Sequence, residues 1–460
     1  MKIFPGKWCT FRGMACIGCG GICMLMVVCL AAFLHGCLPA HTTHFITDSD
    51  GRIVIYHGVN VSNYAKTAPE ALPWHTREDF ARLNAWGFNL VRYLVFWDAI
   101  EPRDGEFDEQ YLEKTLERLK WMEELGIDVV LDVHQDVYCR RFTGNGFPEW
   151  TVDTGGHEFT PTTPWNLNYL DPAVLHAYDH FWRSEALKAR YVDMLEHLMR
   201  RMDGQRNVIG VEIMNEPFPW TGLGFEQKAL SGLYEQVQAM RQRNHFRLPL
   251  WFEPVIYTSA GIRSRLSFEP ESGSVYAVHY YDPLCHEGRP YGWFNRWLMP
   301  YAFRVRAHEA ERFGTPMLVT EFGIAPTTEG FRKYLRDFCD LADCHATGWT
   351  YYSYDKCAHE SFGILDENGN PSPVLDNLIE VYPQRIAGTH PVFGVRGKTF
   401  DLAYDPVAST APTVIFVPRS LSVKRLVING AEKAFDASVS CVIHANNSAT
   451  GRQTIHLEWE

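Results

Sequence analysis

Residues Val208–Trp220 read VIGVEIMNEPFPW, an apolar, partly β-branched run that stops abruptly at Asn215-Glu216-Pro217. The pattern predicts a buried strand that delivers a carboxylate at its C-terminal tip. A second stretch, Met317–Gly323 (MLVTEFG), has the same form, with Glu321 at the tip. A lone acid at a strand end is usually just a solvated residue. Two of them, each following a buried strand, are the pair that glycosidic bond cleavage uses, one as acid/base and one as nucleophile.

Around these two strands the chain alternates strand and helix. The predicted strands are Ile53–Val61, Asn89–Val95, Asp128–His134, Val208–Asn215, Pro249–Pro254, Ser274–Tyr280, Pro316–Phe322 and Gly348–Ser353. Helical periodicity separates most of them, over Tyr111–Leu125, Ala186–Met202, Glu226–Asn244, Trp293–Phe313 and Glu329–His345. The weakest helix lies between the fifth and sixth strands. Strand–helix alternation of this length predicts an α/β fold, a (β/α)8 TIM barrel over residues 47–383. From residue 384 to 460 the texture changes to short alternating runs separated by turn signals such as Asn429-Gly430, which predicts a small all-β sandwich.

Formal net charge is −12 at pH 7, which argues against nucleic acid as a partner and against long-range attraction to anionic membranes. At the N-terminus, Lys2, Lys7 and Arg12 precede the apolar run Ile22–Leu34, too short for a membrane span of about 20 residues. That order predicts an export leader over residues 1–37. Leu34-His35-Gly36-Cys37 resembles a bacterial lipobox, although His35 is unusual in one, so Cys37 is a candidate for lipidation, with plain cleavage or an uncleaved anchor as alternatives. Six of the 12 cysteines fall within this segment; the rest are scattered and define no disulfide pairing.

In a (β/α)8 barrel the C-terminal strand ends converge. They collect Lys66, Arg92, His134, Asp136, Asn215, Glu216, His279, Tyr281, Glu321 and Trp349, a set without cysteine–histidine metal spacing, so neither metal nor other cofactor is expected. Arginine beside a carboxylate favours its ionised form, so Arg92 is expected to orient Glu321 and keep it charged, with a structural ion pair inside the barrel as the competing reading. Trp349 offers a flat face on which a sugar ring could rest, with ordinary barrel core as the competing reading.

These residues resemble those of glycoside hydrolase family 5, with its acid/base after the fourth strand and its nucleophile after the seventh. More narrowly, Ala65-Lys66-Thr67-Ala68-Pro69, Leu131–Tyr138 (LDVHQDVY) and Gly144–Trp150 (GNGFPEW) are similar to stretches of endoglycoceramidases, and a C-terminal β-sandwich is a feature of that group. The resemblance implies a retaining hydrolase that cuts the β-glucosidic bond between glycan and ceramide, with Glu216 as acid/base and Glu321 as nucleophile. It implies further that Lys66, His134, Asp136 and Trp165 hold the glucose next to ceramide, that Asn215 binds the sugar 2-hydroxyl, and that Tyr281 donates to the nucleophile. His279 stands between a catalytic role and a core one. Retention requires carboxyl groups about 5–5.5 Å apart. Apolar candidates for a ceramide groove follow the fourth strand (Phe218, Pro219, Trp220, Leu223, Phe225) and the sixth (Pro283, Leu284, Trp293, Phe294). The expected partners are a glycosphingolipid and a lipid or detergent micelle surface, and the expected state is a monomer. The alternatives are another lipid-directed β-glycosidase (a glucosylceramidase or endogalactosylceramidase) and a non-catalytic glycolipid-binding surface lipoprotein.

Overall fold

The computed structural model describes residues 44–219, 223–345, 347–356, 362–407, 411–445 and 451–460. The predicted leader, its apolar run and Cys37 lie outside the described residues, as does Trp220. Eight parallel strands close into a barrel: β1 Tyr56–Val61, β2 Leu90–Val95, β3 Asp128–Val133, β4 Val208–Glu212, β5 Leu250–Phe252, β6 Val275–Tyr280, β7 Met317–Phe322 and β8 Gly348–Tyr351, with β8 pairing back onto β1. Most of these residues are buried on both faces, as expected of parallel strands enclosed by helices. Trp251 fills the barrel interior beside Gly210, where an added Cβ would lie 2.1 Å from the indole nitrogen. With Tyr56, Leu90, Val130, Val275 and Leu318 it forms an apolar plug. The polar residues therefore gather at the other end, where the strands' C-terminal tips open.

Helices start where side chains supply the missing acceptors. Thr76 and Asp79 form a reciprocal cap on Arg77–Ala85, and the Asp108 carboxylate accepts from the backbone of Gln110 and Tyr111 at the start of Glu109–Glu124. Between β5 and β6 the crossover carries only the 3-10 turn Ile256–Ala260. Among the described residues no helix is long and apolar enough to cross a membrane.

The C-terminal strands are β9 Tyr382–Ile386, β10 Gly388–Arg396, β11 Thr399–Pro406, β12 Thr413–Phe416, β13 Val423–Ile428, β14 Ala431–Lys433, β15 Cys441–His444 and β16 Gln453–Trp459. They make two antiparallel sheets, one ordered β10-β11-β16-β13-β14 and the other β9-β12-β15. The second gains an edge from the opposite end of the chain, because Ile53–Val54 pairs with Ile386 and Arg385. The predicted strand Ile53–Val61 is thus two strands broken at Ile55: its first two residues belong to the sandwich and the rest to the barrel. Phe416 packs where Gly87 lacks a side chain, and the Tyr382 hydroxyl donates to the Gly87 carbonyl at 2.5 Å.

Candidate active site

Arg92, in the middle of β2 and fully buried, organises the pocket floor. Its Nε donates to Glu212 Oε2 (2.7 Å), its Nη1 to Asn60 Oδ1 (2.9 Å) and Glu321 Oε1 (2.5 Å), and its Nη2 to Asn215 Oδ1 (2.9 Å). Asp132 Oδ1 lies 3.1 Å and Glu253 Oε1 3.5 Å from Nη2. Four carboxyl groups around one guanidinium cannot all stay charged in a buried site. Burial and the neighbouring Glu212 push Glu253 well above the usual carboxylate range, so it keeps its proton and hydrogen-bonds Glu212. For Glu212 burial also opposes charge, but Arg92 outweighs it and the carboxyl is held low.

Glu321 is the charged member that faces the cleft. Arg92 holds one oxygen and the Tyr281 hydroxyl donates to the other at 2.8 Å. Burial opposes its ionisation; His279, Arg92, His134 and Lys66 together outweigh it and bring its pKa down to about 2. A carboxylate ionised at every working pH and held by two donors is suited to act as a nucleophile.

Glu216 sits opposite, half-buried, one residue beyond Asn215. Its φ is +40°, a conformation that costs a non-glycine residue about 1–3 kcal/mol and persists only where neighbours enforce it. Here the Gln135 amide donates to the carbonyls of both Asn215 and Glu216 at 2.9 Å, Glu253 accepts from the Glu216 backbone N–H at 3.1 Å, and the Asn215 amide returns a bond to the Gln135 carbonyl. His279 Nδ1 lies 3.0 Å from Glu216 Oε1 and 3.9 Å from Glu321 Oε2. Burial disfavours the imidazolium, but the two glutamates more than offset this and raise the His279 pKa. Side-chain oxygens of Glu216 and Glu321 approach within 4.8 Å of each other and of a His279 nitrogen. Inverting enzymes separate their carboxyl groups by about 6.5–9.5 Å to seat a water; so close an approach of the two side chains accords with the retaining arrangement.

A second polar group flanks the pair. Lys66 Nζ donates to Asp136 Oδ2 at 2.8 Å, Asp136 lies 3.2 Å from His134 Nε2, and His134 Nδ1 lies 2.6 Å from Asp132. Asp132 thereby links this row to Arg92. Burial acts against the charge on Asp136, but Lys66 and His134 hold its carboxyl far below the usual range. Lys66 also stands 4.7 Å from the centroid of Tyr352.

Two expected site residues fall elsewhere. Trp349 is fully buried on the helix side of β8, stacked on His57 at 4.4 Å and edge-on to Phe322 and Phe88. Alternation along β8 turns Thr350 inward toward Gly58, and the aromatic that reaches the cleft just past the strand is Tyr352, whose hydroxyl donates to Asn63 Oδ1 at 2.9 Å. Trp165 is 53% exposed at the rim, and it is Tyr169, four residues on, whose hydroxyl donates to Asp136, at 3.4 Å. Of the groove candidates, Phe225 is buried against Trp182, whereas Phe218 stacks half-buried on Tyr169. Leu223 and Trp293 are 96% and 83% exposed. With Trp165, Leu167 and Leu170 they stand on loops or a helix start that follow β3, β4 and β6, and therefore at the mouth. Sequence reasoning missed Gln135, Glu212, Glu253, Tyr169 and Tyr352. Glu253 alone carried a signal, the Phe252-Glu253-Pro254 that repeats the form of Asn215-Glu216-Pro217.

A closed barrel with two glutamates at the tips of β4 and β7 defines a retaining glycosidase, and residues 47–357 match the family model described as cellulase (glycosyl hydrolase family 5), so the chain belongs to that family. Within it, the chain is 28% identical over 416 residues to endoglycoceramidase I of Rhodococcus hoagii (strain 103S), covering 83% of this chain and 79% of the relative. It is also similar to solved structures of endo-glycoceramidase II from Rhodococcus sp. The complex with ganglioside GM3 superposes with a TM-score of 0.82 at 28% identity, over 91% of this chain and 99% of the other. The lactosyl-enzyme intermediate gives a TM-score of 0.79 at 28% identity, over 90% and 99%.

Proposed function

We propose that the protein is a retaining endoglycosidase that cleaves the β-glucosidic bond joining oligosaccharide to ceramide in glycosphingolipids. The observation that carries this is the pairing of Glu216 and Glu321 within 4.8 Å beside the Lys66–Asp136–His134 row. Glu321 attacks the anomeric carbon while Glu216 passes a proton to the departing ceramide oxygen, leaving a glycosyl ester on Glu321. Water, deprotonated by Glu216, then releases the sugar with its configuration retained. The solved relative trapped as a lactosyl-enzyme supports the covalent step. Asn215, oriented by Arg92, meets the sugar 2-hydroxyl; Lys66 and Asp136 bind hydroxyls further round the ring, which packs on Tyr352.

The leaving group accounts for the apolar rim. Leu223, Trp293, Trp165, Leu167 and Leu170 suit contact with a micelle or bilayer from which the substrate's alkyl chains are drawn. On this reading the enzyme is an exported monomer, secreted or anchored through a lipidated Cys37, supported by the basic-then-apolar order of its first residues. Loss of incorporated radiolabelled fatty acid in a Cys37→Ala variant checks the anchor.

The deciding experiment is incubation with detergent-dispersed glucosylceramide, lactosylceramide and a ganglioside, followed by chromatography of both products. Intact oligosaccharide together with ceramide supports the endo cut. Turnover of galactosylceramide or β-glucan alone would keep the two glutamates and discard the substrate. Intact glycolipid binding with no hydrolysis, in wild type and Glu321→Gln alike, would favour a binding protein.

A further inference from the structure

At the end of the barrel opposite the cleft, three side chains from distant parts of the chain converge. His57 comes from β1, Asp343 from the last turn of the helix Phe331–His345, and Glu380 from the segment leading into β9. One ligand atom from each lies within 4.8 Å of the others, and His57 Nε2 is 3.5 Å from Asp343 Oδ1. The His57 ring is 1% exposed and clamped flat between Trp349 at 4.4 Å and Tyr382 at 3.7 Å, so its edge is fixed in direction. Neither ring nitrogen has a hydrogen-bond partner among the described residues, and the same holds for Asp343 Oδ1 and Glu380 Oε1.

Buried polar atoms are normally hydrogen-bonded, and buried carboxylates are normally paired or coordinate a metal. The charges here are adverse instead. Asp343 lies at a helix C-terminus, where the backbone carbonyls already present negative potential, and Asp340 adds its charge to both carboxyls. Arg336, a turn or two earlier on that helix, acts on Glu380 but forms no ion pair with it among the described residues. A divalent cation would bind one nitrogen of His57 and both carboxylates at once. One imidazole and two carboxylates form a donor set that suits Zn2+, whose ligands sit about 2.0–2.2 Å from the metal and hence roughly 3.3 Å from one another.

We propose that His57, Asp343 and Glu380 form a structural site for a divalent cation of the zinc type, remote from the glutamate pair. Because Tyr382 covers the histidine and opens β9, the ion ties the outer helix, the barrel and the sandwich together.

The test uses the full chain stripped with chelator and titrated with Zn2+ by calorimetry and thermal melting. The expected result is one equivalent bound, with Tm raised by about 3 °C or more at a hundredfold excess over Kd. The isosteric variants Asp343→Asn and Glu380→Gln should each weaken uptake at least thirtyfold. A Glu216→Gln/Glu321→Gln double variant should bind normally, which separates this site from the acidic cleft. Failure of the wild type to bind, or uptake lost in the cleft double variant but kept in Asp343→Asn, would overturn the proposal. If either isosteric variant does not fold, anomalous scattering at the zinc edge from wild-type crystals decides: a peak beside His57 supports the site, and its absence there overturns it.

Discussion

Gln135 tests whether the Glu216 backbone is held in place to support proton transfer. Its amide donates to two carbonyls at 2.9 Å and accepts from the Tyr178 hydroxyl at 2.6 Å, with the side chain buried. Gln135→Met preserves length and volume and removes all three bonds. Each buried group left unpaired costs about 1–3 kcal/mol, so a total near 3–5 kcal/mol and a fall in Tm of about 5 °C are expected. The catalytic effect is separable from this. With the clamp gone, Glu216 relaxes from its φ of +40° and its carboxyl leaves the line of the departing oxygen. General acid catalysis contributes roughly 10²–10⁴. On lactosylceramide, whose alkoxide leaves only with a proton, kcat/KM at 25 °C should fall about a hundredfold. On dinitrophenyl β-lactoside, whose phenolate needs no acid, the fall should stay within about threefold, because kcat/KM reports only formation of the glycosyl-enzyme. Equal losses on the two substrates, with the fold intact by circular dichroism, would refute the account.

Other consequences can be checked in parallel. Tyr352→Ala should lower kcat/KM for lactosylceramide by at least about tenfold with little change in Tm, whereas Trp349→Ala should cost about 3–5 kcal/mol of stability and leave KM within about twofold; the reverse pattern would restore Trp349 to the cleft. Asp136 and Glu321 are held below their unfolded values, so the stability they lend is full above about pH 4.5 and is lost as pH falls. His134 and His279 are held above theirs despite burial, so their share is full below about pH 6.5 and is lost as pH rises through the folded values. Tm should therefore peak between those limits, and a peak above pH 8 in a melting series would contradict the assigned charges. The double variant Leu223→Ser/Trp293→Ser should lose about tenfold in activity on lactosylceramide in vesicles and none on the soluble dinitrophenyl lactoside; parallel losses would remove the rim from lipid contact.

The barrel strands were legible because burial on both faces writes continuous apolar runs, and the two glutamates because each ends such a run. Orientation was less legible. Trp349 and Tyr352 are both aromatics near the end of β8, and which of them faces the cleft depends on strand phase, visible only once β8 is paired with β1 and β7. The break at Ile55 left no mark, since Ile53, Val54 and Tyr56 are equally buried in their different sheets. Phe225 and Leu223 are two residues apart on one apolar loop, yet one packs under Trp182 and the other faces solvent. Glu253 shows a different limit. Its role lies in keeping a proton, which depends on burial and on Glu212 from another strand, against the opposing charge of Arg92.

Ile53–Val54 lies at the start of the described chain, and its partner β9 begins at Tyr382. A ribosome must therefore make the whole barrel before those two residues, already bridged to Ile46 and Thr47, meet β9. Until then the nascent protein carries an open sheet edge ahead of an otherwise completed enzyme. Cleavage or early termination between β8 and β9 would make that transient exposure permanent, with the sticky edge available to a second chain. The sandwich, made after the barrel, covers the edge that precedes the barrel.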